Sequence, residues 1–174
     1  MVRLLKYVFV LLVVLAGFGF KQNYDTNAKI KAVYIYNFTR YFEWPDAKKS
    51  GNFQIHIVGT NVSLIKELND MATKKKVGTQ TIEVINTPAF DGKSKPHMLF
   101  LLPEASKQLT DAISKYKGKG TLIITEKEGA AKSGAAINFV IVENKQKFEF
   151  SKISTNKAGL KASEDFKTLA IAVD

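Results

Sequence analysis

Acid–base or metal chemistry at neutral pH would fall first to the two histidines, His56 and His97. Their surroundings speak against either role. Neither belongs to an HxH, HxxxH or HExxH spacing that sets two ligands on one metal, and the chain has no cysteine to complete a zinc or thiol site. A GxSxG elbow and a GxxxxGK-type phosphate loop are also missing. Carboxylates are scattered singly, and the nearest thing to a pair, Glu126 and Glu128, reads as solvated loop. The expectation is no catalytic residue, no metal and no cofactor, with both histidines hydrogen-bonded structural residues.

The elements that would position these side chains follow from periodicity. His56 alternates with Phe53, Ile55 and Ile57 in a strand over 53–59, so it lies on the opposite face from them. His97 stands at the mouth of a wholly apolar strand over 98–102, bounded by Pro96 and Pro103. Further strands are expected at 81–85 and 122–124, and a hairpin at 136–142 and 147–152 around Glu143-Asn144-Lys145-Gln146. Helices are expected at 27–44, capped by Asn27 and stopped by Pro45, at 63–71 and at 104–116. A closing helical region, broken near Gly159 and Ser163, carries Phe166, Leu169, Ala170 and Val173. Strands alternating with helices and ending in a hairpin define an α/β fold: a mixed β-sheet with flanking helices and a C-terminal antiparallel hairpin, in a single domain.

The amino terminus stands apart from that domain. Arg3 and Lys6 precede an apolar run over 7–15, and Gly17-Phe18-Gly19 offers the small residues of a cleavage site. The apolar stretch is shorter than the roughly 20 residues that span a bilayer. Residues 1–19 therefore read as a cleaved signal peptide and 20–174 as the exported domain, with a periplasmic location.

The 174 residues carry a formal charge of +10, which raises the question of nucleic acid. Of 26 basic residues only Arg3 and Arg40 are arginine, and a single aromatic residue, Tyr116, stands among Lys74-Lys75-Lys76 and Lys115, Lys117 and Lys119. That pattern lacks the guanidinium forks and stacking platforms of nucleic-acid readers. It reads as solvated lysine, with weak attraction to anionic lipid as the remaining use.

The first helix of the domain is the informative segment. At about 100° per residue, Ile30, Val33, Tyr34, Ile35, Phe38, Tyr41, Phe42 and Trp44 span an arc of about 200°, against roughly 100° for a surface helix. The excess needs a cover: a helix of the same chain, a second copy, or a partner. Aromatic residues commonly anchor interfaces, so Tyr34, Tyr41 and Trp44 are the expected partner-binding residues. Asn37, inside the arc, is expected to be hydrogen-bonded.

The stretch Lys31-Ala32-Val33-Tyr34-Ile35-Tyr36-Asn37-Phe38, with Glu43-Trp44-Pro45, resembles the opening motif of the YfiR family of exported bacterial proteins. The similarity resumes at His97-Met98-Leu99-Phe100, at 134–144, at 148–150 and at Ala158-Gly159-Leu160-Lys161. The family often has a glycine pair where this chain has Gly134-Ala135, and commonly a cysteine where it has Pro96. The resemblance implies a periplasmic regulator that is not an enzyme. It implies a partner too, the periplasmic part of an inner-membrane signalling protein such as a diguanylate cyclase or sensor kinase, held inactive, with a homodimer as a further assembly. A periplasmic small-ligand or cell-wall binding module is the second reading, and a degenerate enzyme the third.

Overall fold

The computed structural model describes residues 25–173; the signal peptide expected at 1–19 lies outside them. Its centre is built by strands too apolar to tolerate water on either side. Strands β5 (Met98–Leu101) and β6 (Leu122–Thr125) are buried at every position, as strands covered on both faces must be. Around them run β2 (Phe53–Val58), β4 (Gln80–Thr87) and β7 (Ile137–Val142), which continue the parallel arrangement. Strand β8 (Lys145–Phe150) returns antiparallel to β7, and β3 (Lys76–Val77) returns on β4. A last short strand, β10 (Ile171–Ala172), lies parallel to β8, giving the order β10-β8-β7-β6-β5-β2-β4-β3.

Helices cover the sheet unequally. Helix α1 (Ala28–Tyr41), α2 (Val62–Ala72) and α5 (Glu164–Leu169) pack on the face that carries Phe53, Ile55, Ile57, Phe100, Phe139, Phe148 and Phe150. Helix α3 (Leu109–Tyr116), led in by the 3-10 turn Pro103–Gln108, covers Val58, Leu99, Leu101 and Ile123 on the other. Helix α4 (Lys152–Lys157) follows β8, and a two-stranded ribbon joins β1 (Phe42–Glu43) to β9 (Lys161–Ala162). The mixed α/β sheet expected from periodicity is the observed fold.

Four local expectations are corrected. The first helix ends at Tyr41 rather than near Trp44. Pro45 disfavours helical backbone at Trp44, and extended backbone from Phe42 sends Phe42 and Trp44 to the same side, into the core. Asn27 is itself helical and caps nothing with its side chain; the Asp25 carboxylate accepts the Asn27 N–H at 2.9 Å instead. The hairpin turn is only Glu143-Asn144, both at positive φ (52° and 59°), the two-residue turn whose twist suits paired strands, so β8 begins at Lys145. Finally, Glu126 is not merely solvated, because it receives the buried Lys31, as described below. Gly134 takes the positive φ of its loop and Ala135 does not, so the missing glycine of the pair strains nothing.

Both histidines are buried and neutral by construction. His97 accepts the backbone N–H of Gln54 at Nδ1 (3.0 Å) and donates from Nε2 to the carbonyl of Lys48 (2.7 Å). For His56 the tautomer follows from its neighbours. Thr87 donates its hydroxyl proton to Ala89 O, so it can only accept from His56 Nε2–H (2.8 Å), which leaves Nδ1 to accept from Ser94 (2.7 Å). Burial holds both imidazoles below the ordinary 6.5, and the Lys48 charge adds to the effect at His97. A base whose folded pKa is depressed binds more protons when unfolded, so stability is full above about pH 6.5 and falls as pH drops toward the folded values. The midpoint of thermal unfolding is thus expected to be level from pH 8 to 7 and to decline from 6.5 to 5, with a shallower decline in His97→Gln. A level profile across that window in the wild-type chain would contradict the assigned tautomers.

Candidate interaction surface

Helix α1 is anchored at its start by an internal charge. Lys31 is only 3% exposed, and its ammonium donates to both oxygens of Glu126 (2.6 and 2.7 Å) and to Asp25 (3.0 Å). Asp25 also accepts from Asn61, whose own oxygen caps α2 through Leu64 N–H. Burial alone would raise the Asp25 carboxyl, but the hydrogen bonds from Lys31 and Asn61 outweigh it and hold it below the usual range. A buried ammonium demands such partners. The cluster therefore fixes where α1 crosses the ends of β6 and α2.

Beyond that anchor the three expected partner-binding residues divide. Trp44 is 7% exposed, packs edge-on to Phe53 with ring centroids 5.1 Å apart, and donates its indole N–H to His97 O at 3.3 Å. Tyr34 and Tyr41 lie two turns apart on one side of α1 and are half-buried. Tyr34 stands edge-on to Phe148 at 5.2 Å and reaches Gln146 O with its hydroxyl at 3.4 Å; Tyr41 lies 5.6 Å from Phe166. The structure brings Tyr34 and Tyr41 onto one surface and leaves Trp44 out of it.

Part of the excess apolar arc thus finds its cover within the chain. Phe166 of α5 fills the space between Phe38, Phe42, Tyr41 and β8. The sector of α1 outside that arc faces α2, with Ala32 buried and Lys75, just beyond α2, over the Tyr36 ring at 5.8 Å. What stays open is the outer stripe, where Ile30 is 45% and Val33 53% exposed. Asn37 shares that stripe, half-buried, and makes no side-chain hydrogen bond to a described residue, contrary to expectation.

Two further exposed apolar residues, not assigned to the site from sequence, stand on elements that pack against α1. Ile141, 53% exposed, follows Ile137 and Phe139 on the α1 face of β7 and pairs with Gln146 beneath Tyr34. Leu169, 58% exposed, stands on α5 three residues beyond Phe166. Gln146 donates to Val140 O and Lys147 O, yet its buried Oε1 has no partner among the described residues. Besides the buried and paired Lys31, helix α1 carries Lys29 and Arg40 at its surface and no carboxylate. The surface is an apolar stripe bordered by the exposed Lys29 and Arg40.

Among the described residues no group of three or more His, Cys, Asp or Glu is placed to hold a metal ion, and no helix is long and apolar enough to cross a membrane. The sequence profile of the YfiR/HmsC-like family matches residues 28–170, and the chain belongs to that family. Its members are regulators rather than enzymes. The chain matches no curated protein.

Proposed function

We propose that this chain is a periplasmic regulator that binds the periplasmic part of an inner-membrane signalling protein, of the diguanylate cyclase class, and restrains its output. The observation that carries the reading is the outer stripe of α1, where Ile30 and Val33 remain open beside half-buried Tyr34 in a chain of the YfiR/HmsC-like family. Apolar side chains left in water beside aromatics are the common core of an interface, and the cationic border favours an acidic counterpart.

Two measurements test it together. Cells lacking the gene should show raised cyclic di-GMP that falls again on complementation. The tagged chain should retain, from detergent-solubilised membranes, a protein that has both a periplasmic region and a cyclase domain. An unchanged nucleotide level with no such protein retained rejects the proposal. The small-ligand reading has one observation in its favour: a hollow of about 610 Å³ between α3 and α4, with Ile113, Ile123 and Ala136 among its lining and Lys117, Lys132 and Lys157 around it.

A further inference from the structure

Lysines expected to be spread over solvated faces converge at one end of the sheet. Lys48 precedes β2, Lys93 and Lys95 precede β5, Lys119 precedes β6, and Lys115 comes from the last turn of α3. All five line one hollow of about 390 Å³, with Ser94, Tyr116 and Thr121 among its other walls. A neighbouring hollow of about 590 Å³ shares Lys48, Lys95 and Lys119. No carboxylate lines either one; the nearest relief is Asp91, 4.0 Å from Lys93.

The helix C-terminus explains one lysine there, since cations are stabilised at that pole. It does not explain five. Lys48 is half-buried and tied to Lys95 O and Pro96 O (2.8 and 2.6 Å), and burial with the Lys95 charge beside it brings its ammonium down to about 8. Like charges gathered in a concave site raise the local concentration of anions. Ammonium groups on flexible stems suit phosphate as point charges, without the fixed fork of arginine. We propose that this hollow binds an anion with phosphate groups, either a soluble polyphosphate or the phosphates of lipid headgroups, independently of the α1 stripe.

The test is calorimetric titration of the full exported chain with sodium tripolyphosphate at constant ionic strength. Lys95, Lys115 and Lys119 are exposed, so K95Q/K115Q/K119Q keeps the wild-type unfolding midpoint and should lose affinity by about tenfold or more. K74Q/K75Q/K76Q removes the same charge elsewhere and should bind as wild type. In a second arm, cosedimentation with phosphatidylcholine vesicles with and without phosphatidylglycerol identifies the source. Anionic-vesicle binding that tripolyphosphate displaces and K95Q/K115Q/K119Q abolishes assigns a lipid headgroup, while tripolyphosphate binding without vesicle binding assigns a soluble anion. Equal losses in the two triple variants, or no binding of either probe by the wild-type chain, overturn the proposal.

Discussion

Trp44→Ala is expected to lower the unfolding free energy by about 3 to 5 kcal/mol, the range for deleting a large buried aromatic side chain. The ring is nearly sealed, lies against Phe42 and Phe53, and fills the space beneath His97. Its indole N–H supplies a second donor to His97 O, which already accepts from Leu122 N–H. Trp44→Phe removes that bond while keeping most of the ring, and should cost less than the alanine variant. The comparison needs urea unfolding followed by circular dichroism, because Trp44 is the only tryptophan and its fluorescence vanishes with it. A midpoint for Trp44→Ala equal to wild type would place the side chain outside the core. A loss of partner binding in Trp44→Ala would then say nothing about an interface unless the variant is folded.

The reason Trp44 looked like a contact residue is physical. Helical periodicity carried through to Pro45 sets its ring on the α1 stripe, whereas the extended backbone of Phe42 and Glu43 turns it inward. The ribbon that holds this backbone extended pairs Phe42 with Ala162, far along the chain, and two-residue strands of that kind leave no periodicity to read. β3 and β10 escaped notice for the same cause. By contrast β5 and β6 were legible, because a strand buried on both faces must be a continuous apolar run. His56 was legible too: alternation with Phe53, Ile55 and Ile57 set it on the opposite face, where it meets Ser94 and Thr87.

The site was legible in outline only. The arc of α1 announced more apolar surface than a sheet needs, and Ile30 and Val33 are what remains after the chain covers the rest. Which aromatics would be covered depended on where α5 packs, and one residue, Phe166, settles it by reaching both Phe38 and Tyr41. Lys31 looked like any helical lysine; its burial depends on Glu126, a partner that spacing cannot reveal.

The stripe makes the second large prediction. Val33→Glu should leave folding unchanged or slightly improved, since Val33 is more than half exposed and glutamate suits a helix better than a β-branched residue. Binding to the membrane partner should nevertheless fall by about thirtyfold or more, because docking would bury an unpaired carboxylate where a methyl pair had been, and an acidic counterpart would repel it. Ile30→Glu should act in the same direction. Ile153→Glu is the control: Ile153 is as exposed as Val33 but stands on α4, away from the stripe. Retention of the partner by each purified variant, with circular dichroism melts on the same samples, separates the cases. If Val33→Glu and Ile30→Glu retain the partner as well as wild type does, α1 is not the docking surface. If Ile153→Glu loses it equally, the effect is one of added charge anywhere on the domain. Only loss confined to the α1 variants, at an unchanged melting midpoint, makes the open stripe of Ile30 and Val33 the place where the signalling protein is held.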